Sequence, residues 1–229
     1  MATYVLIPGA GGSAWYWHRL VPLLRERGHD VLAVDLPAAD DTAGLTAYAD
    51  TVVDAIGDRS DLILVAQSMG GFTAPLVCAR VPVDMLVLLN AMVPKPGESG
   101  EQWWAATGQA GARAERAVLD GRAPDAPFDV VTEFFHDVPD EITAEAMERG
   151  EPRQSMAPFG EPWPLDRWPD VPTRFLQGAD DRFFPVEFQR RCVRERLGIA
   201  IDVMPGGHLL ALSRPEELAA RLEGYRTGS

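Results

Sequence analysis

Leu62-Ile63-Leu64-Val65-Ala66-Gln67-Ser68-Met69-Gly70-Gly71 is the stretch whose reading decides the fold. Leu62 to Val65 is a short, wholly apolar, β-favouring run, and strands of that kind are covered on both faces. Two glycines follow closely, and the chain from about Gly71 to Arg80 reads as a helix. A buried strand that passes through a tight turn into a helix is the opening half of a β-α-β unit.

The same alternation extends in both directions. Upstream, Tyr4-Val5-Leu6-Ile7 is a strand that stops at the loop Pro8-Gly9-Ala10-Gly11-Gly12. Helical spacing from about Trp17 to Arg27, a strand from Asp30 to Val34 and a helix from about Leu45 to Ile56 come next. Downstream lie the strand Met85 to Leu89, the strand Thr173 to Gln177, a helix from about Val186 to Arg196, the strand Ile199 to Met204 and a helix from about Pro215 to Tyr225. The pattern predicts an α/β fold with about six strands in a mainly parallel sheet, joined by right-handed crossovers and flanked by helices. The chain of 229 residues is expected to form one domain, 1–229. Its alternation is interrupted at about 94–170 by a strand-poor, proline-containing segment with helical stretches near Glu115 to Leu119 and Glu141 to Arg149. This segment reads as an inserted helical cap over the carboxyl ends of the strands, the face where such sheets bind ligands.

A net charge of −13 without a Lys/Arg-rich run disfavours nucleic acid and anionic membrane surfaces as partners. The two cysteines, Cys78 and Cys192, have neither disulfide-framework nor zinc-site spacing. The start of the chain runs directly into a strand without a basic region followed by a long apolar stretch. The expectation is a soluble, cytoplasmic protein, with room for a homodimer and no metal or organic cofactor.

Ser68 sits where a nucleophile elbow needs its serine, after a strand and before a helix, with small residues, Ala66 and Gly70, two positions to either side. A serine at this place could instead only cap the helix. A serine hydroxyl needs a base, and four histidines are available. His18 and His29 lie away from the expected carboxyl ends of the strands, and His136 lies in the insertion beside Asp137. His208 follows the last strand in Pro205-Gly206-Gly207-His208-Leu209, a glycine loop that delivers it to the ligand face. The acid that orients the imidazole is sought after the strand Thr173 to Gln177, where Gly178-Ala179-Asp180-Asp181 offers two neighbours. The Gly178-x-x-Asp181 spacing ahead of Pro185 favours Asp181 over Asp180. The chain order Ser68, Asp181, His208 is that of an α/β-hydrolase. Backbone N–H groups of Ala10, in the first glycine loop, and Met69, at the start of the helix, are the expected oxyanion donors.

Tyr4-Val5-Leu6-Ile7-Pro8-Gly9-Ala10-Gly11-Gly12-Ser13-Ala14-Trp15-Tyr16-Trp17, with Gly28-His29-Asp30-Val31, Asp35-Leu36-Pro37-Ala38-Ala39, the elbow and Gly206-Gly207-His208, resembles the plant methylesterase and hydroxynitrile lyase branch of the α/β-hydrolases. The resemblance implies the roles given above to Ser68, Asp181, His208, Ala10 and Met69. It departs at Pro8-Gly9, where the family usually has His-Gly, so the positioning role of that histidine is absent. It departs again at Leu209, where the lyases carry a lysine that helps to hold developing cyanide, and at Ala10, where they carry a polar residue. Ester hydrolysis is therefore expected in preference to cyanohydrin cleavage. The expected activity is that of a carboxylesterase acting on a small apolar ester through an acyl-enzyme on Ser68. The alternatives are lyase or cofactor-free decarboxylase chemistry on the same scaffold, or a hydrolase-like protein that only binds a small molecule. Trp103, Trp104, Phe128, Phe134, Phe135, Phe159, Trp163 and Trp168 enrich the insertion in aromatics, most of which are expected to pack it onto the sheet.

Overall fold

In a computed structural model describing residues 1–228, the apolar runs form six parallel strands; Ser229, the last residue of the expected domain, lies outside the described residues. The strands are β1 (Thr3–Ile7), β2 (Asp30–Ala33), β3 (Leu62–Gln67), β4 (Met85–Leu89), β5 (Thr173–Gly178) and β6 (Asp202–Met204). They lie in the order β2-β1-β3-β4-β5-β6, each neighbouring pair parallel. The direction of winding reverses between β1 and β3. In open parallel sheets that reversal leaves a crevice at the carboxyl ends of the two strands, a place where ligands bind.

Side chains alternate across the sheet, and in β1, β3 and β4 they are buried on both sides, as near-continuous apolar strands require. Val5, Ile7, Leu64 and Leu88 join one core with α2 (Leu45–Ile56), α3 (Gly70–Cys78) and α8 (Val186–Leu197). Tyr4, Leu6, Val65 and Val87 join the other with α1 (Leu20–Glu26) and α10 (Pro215–Thr227). Between β4 and β5 the chain carries α4 (Gly100–Thr107), α5 (Gln109–Leu119), a π-helical turn at Val131–Phe135, α6 (Asp140–Arg149) and α7 (Ala157–Gly160). A short helix α9 (Leu210–Ser213) precedes α10.

Several boundaries differ from the sequence expectation. β3 continues through Ala66 and Gln67, because these residues still pair with Leu88 and Leu89. The first helix begins only at Leu20, since Ala14–Trp17 forms a 3-10 turn capped by the Ser13 hydroxyl. β6 starts at Asp202, as only Asp202 to Met204 find partners on β5. α4 was not foreseen, although Ser99 and Gln102 form a reciprocal capping box at its start.

Tryptophans tie the insertion to the segment leaving β4, to α3 and to its own start. The buried indoles of Trp103 and Trp163 donate to the carbonyls of Val93 and Phe72, and Trp168 donates to Pro94. These rings are packing elements, as polar-tipped aromatics become when a carbonyl lies within reach. Arg196 of α8 adds a two-pronged pair with Glu98, its Nη2 at 3.0 Å from Oε1, and donates from Nη1 to the Val93 carbonyl at 2.8 Å.

Close packing of α3 on the exit of β4 requires Gly71. A Cβ there would overlap the Met92 carbonyl oxygen and lie 3.3 Å from the Ala91 Cβ. Gly71→Ala is expected to cost about 1–3 kcal/mol in denaturant unfolding, the usual penalty of overpacking a tight core.

At the far edge, Glu223 of α10 accepts hydrogen bonds from Arg226 at 2.9 and 3.1 Å and from the Tyr4 hydroxyl at 3.0 Å, and faces Nε2 of the buried His29 at 3.0 Å. The Arg226 bonds, opposed by burial and aided by Tyr4 and His29, bring the Glu223 carboxyl from 4.5 down to about 2. A carboxyl depressed on folding stabilises the protein above its unfolded pKa and loses that contribution as pH falls through the folded one. Between about pH 4.5 and 2 the parent is therefore expected to lose more thermal stability than Glu223→Gln, as melting curves across that range would record.

Candidate active site

Ser68 lies directly after β3 and two residues before α3, with φ of +51°. A β-branched or bulky residue would resist this left-handed conformation. The backbone bonds around it fix the turn: its N–H donates to Leu89, and its carbonyl accepts from Gly71 and Met92. The helix cap position is Met69, and no side chain caps it, so Ser68 does not spend its hydroxyl on helix capping. Gly70 has no room for a side chain, since a Cβ would lie 2.9 Å from the Pro8 carbonyl oxygen.

The loop after β1 packs against this turn. A Cβ on Gly9 would lie 2.8 Å from the Ser68 Cβ and run into the Gln67 side chain. Ala10 is exposed in this loop, beside the switch point. The loop closes on itself through Gly12 N–H to the Gly9 carbonyl at 3.1 Å, and Gln154 of the insertion accepts from the Gly11 N–H at 2.8 Å. Gln154 donates in turn to the Tyr48 hydroxyl and the Ser155 carbonyl. Where Pro8 replaces the family's histidine, a side chain from the insertion braces the loop.

β5 and β6 bring Asp181 and His208 together. Nδ1 of His208 lies 2.8 Å from Oδ2 of Asp181. A carboxylate can only accept, so Nδ1 carries a proton, and in the neutral imidazole Nε2 presents the lone pair. Asp181 is fully buried and receives three more N–H donors, from Phe183 (2.9 Å), Phe184 (2.8 Å) and the Gln177 amide (3.3 Å). Four donors compensate a carboxylate that burial alone would penalise. Asp180 points elsewhere: its carboxylate accepts from Gly206 N–H at 3.1 Å.

The His208 loop is held close. A Cβ on Gly178 would lie 2.5 Å from the carbonyl oxygens of both Gly206 and Gly207. Asn90, fully buried and at φ +45°, donates to the carbonyls of Gly207 (3.0 Å) and His208 (2.9 Å) and accepts from Gly178 N–H at 2.7 Å. It clasps the turn before Asp181 to the loop bearing His208. Sequence reasoning missed Asn90, although a polar residue directly after an apolar strand, of a type that tolerates left-handed φ, was a signal.

His208 is 1% exposed and Ser68 9%. Phe134, from the π-helical turn, stacks on the imidazole at 4.7 Å between ring centres and 18° between planes. Phe183 and Phe184 meet the same ring edge-on at 5.6 and 5.3 Å. Among the described residues the Ser68 hydroxyl has no hydrogen bond to the imidazole. Such contacts are commonly loose until substrate binds.

The remaining histidines lie in other settings. His18 contacts the Trp15 carbonyl through Nδ1, and His29 accepts from the Ala2 N–H. Burial and the positive charge of Arg182 push His136 below the ordinary histidine pKa. Among the described residues no three His, Cys, Asp or Glu side chains converge as metal ligands, and no helix is long and apolar enough to cross a membrane.

A serine at a strained strand-to-helix turn packed against a glycine loop, with a carboxylate-oriented imidazole on the loop after β6, is a set of groups that can support acyl transfer. Residues 4–221 match the model of the alpha/beta hydrolase family. A pyrethroid hydrolase from Sphingobium wenxiniae is 28% identical over 96% of this chain and 86% of its own. A probable esterase from Oryza sativa is 35% identical over 109 residues, 42% of this chain, so the match spans only 41% of that relative's length. Polyneuridine aldehyde esterase superposes with a TM-score of 0.73 at 21% identity, covering 99% of each chain. The relatives also include plant methylesterases, the branch that the opening loop and elbow resemble. With the sheet order, the elbow and a family match along nearly its whole length, the chain belongs to the α/β-hydrolase family.

Proposed function

We propose that the protein is a serine carboxylesterase acting on small apolar esters through an acyl-enzyme on Ser68. The observation that carries this reading is the 2.8 Å contact of His208 with Asp181, at the same carboxyl end of the parallel strands as a serine at φ +51°. His208 Nε2 takes the Ser68 proton as Oγ attacks the ester carbonyl, and the amides of Ala10 and Met69 hold the resulting oxyanion. The imidazolium, stabilised by Asp181, then protonates the departing alcohol. A water activated by the same nitrogen releases the acid and restores Ser68.

Phe134, Phe183 and Phe184 around the imidazole favour an apolar acyl or alcohol group. Leu209, buried and apolar beside His208, offers no cation to hold cyanide, which favours hydrolysis over lyase chemistry. The names of relatives, a pyrethroid hydrolase and a methyl jasmonate esterase among them, agree with this substrate class. A cytoplasmic location fits the two free thiols of Cys78 and Cys192. The test is intact-mass analysis after treatment with a fluorophosphonate, with and without competing esters of graded acyl size. A single adduct on Ser68, suppressed by apolar esters, is the expected result. Failure to label would overturn the reading.

A further inference from the structure

Gly206 and Gly207 have no side chains with which to anchor the loop that carries His208. Their amides are held from outside: Asp180 accepts from Gly206 N–H at 3.1 Å, and Asp137 accepts from Gly207 N–H at 2.7 Å. Asn90 and Asp180 belong to the strand ends of the sheet, whereas Asp137 belongs to the insertion, two residues beyond the π-helical turn that places Phe134 on the imidazole. Gly207 leaves room for this contact. A Cβ there would lie 2.5 Å from Asp137 Oδ1 and 2.8 Å from His136 Nε2.

Asp137 Oδ2 makes a charge-assisted bond to the N–H of Gly207, the residue before His208, and such bonds are shorter and stronger than neutral ones. We propose that Asp137 is a positioning residue of the active site: through Gly207 N–H it sets the placement of His208, and so makes the insertion part of the support of the catalytic base. The assignment rests on the reading of His208 as that base.

The test compares full-length Asp137→Ala, Asp137→Asn and Ser68→Ala with the parent on p-nitrophenyl butyrate, alongside melting curves. Asp137→Ala is expected to lower kcat by about tenfold or more, since misplacing a reacting group by about 1 Å costs about a hundredfold. KM should stay within about twofold, because the loop amide is not a substrate contact. Asn retains an acceptor oxygen for Gly207, so Asp137→Asn should recover kcat to within about threefold of the parent. A role in folding alone would lower the melting temperature and leave kcat of the folded fraction intact. An Asp137→Ala kcat within about twofold of the parent, or no recovery with Asn, overturns the proposal. Should Asp137→Ala not fold, Asp137→Ser carries the same expectation, and failure of both to fold makes Asp137 a folding residue and also overturns it. Turnover that survives Ser68→Ala removes the esterase reading itself, a result separable from loss of the Asp137 assignment alone.

Discussion

Ser68→Ala is expected to lower kcat for ester hydrolysis by about 10⁴-fold or more, the loss seen when a serine nucleophile is removed and only binding and oxyanion stabilisation remain. Fluorophosphonate labelling should disappear with it. The fold should hardly notice. The three hydrogen bonds that fix the turn, to Leu89, Gly71 and Met92, use only the backbone of Ser68. Alanine carries the same Cβ as serine into the left-handed conformation, and the hydroxyl caps no helix. Steady-state kinetics with a chromogenic ester, paired with a melting curve, would separate the two effects. Substantial turnover in a well-folded Ser68→Ala would instead favour chemistry without an acyl-enzyme.

The second large effect distinguishes two adjacent aspartates. Asp181→Asn is expected to reduce kcat by about 10⁴-fold, whereas Asp180→Asn should change it by no more than about threefold. Every partner of the Asp181 carboxylate is a donor: His208 and Gln177 on Oδ2, Phe183 and Phe184 N–H on Oδ1. An asparagine must turn its NH2 toward one of these pairs. Turned toward His208, it forces Nδ1 to accept and moves the ring proton to Nε2, where a base needs a lone pair. Turned the other way, it sets donor against donor at two buried amides. Asp180 makes one carboxylate contact, to Gly206 N–H, which an asparagine oxygen can keep. Equal losses in the two variants, measured as kcat on folded protein, would contradict the assignment of the acid.

The centre of the sheet was legible because β1, β3 and β4 are buried on both faces and so carry apolar runs. The candidates Ser68, Asp181 and His208 stood out in the sequence for a related reason: Ser68 follows β3 directly, Asp181 and His208 lie in the turns after β5 and β6, and a topology of parallel strands puts such residues at one end of the sheet. Helix α4 was hidden by the surrounding prolines and glycines, although Ser99-x-x-Gln102 announced its start. Asn90, Asp137 and Gln154 left weaker traces. Each works by reaching backbone groups that are close only after folding, 117 residues away for Asn90 to Gly207, 70 for Asp137 and 143 for Gln154. No local spacing encodes such pairs. The sequence reading left the loop after β1 without its family histidine. Its brace, Gln154, comes from the insertion, the part of the chain least like the family pattern.

Phe134 lies flat on an imidazole that is 1% exposed. Under the proposed chemistry an ester and then a water must both reach the edge of that imidazole, among Phe134, Phe183 and Phe184. A bulky acyl group packed against those rings would exclude the water and prolong the acyl-enzyme. Esters of one alcohol would then differ less in how fast they react than in how long their acids remain on the protein.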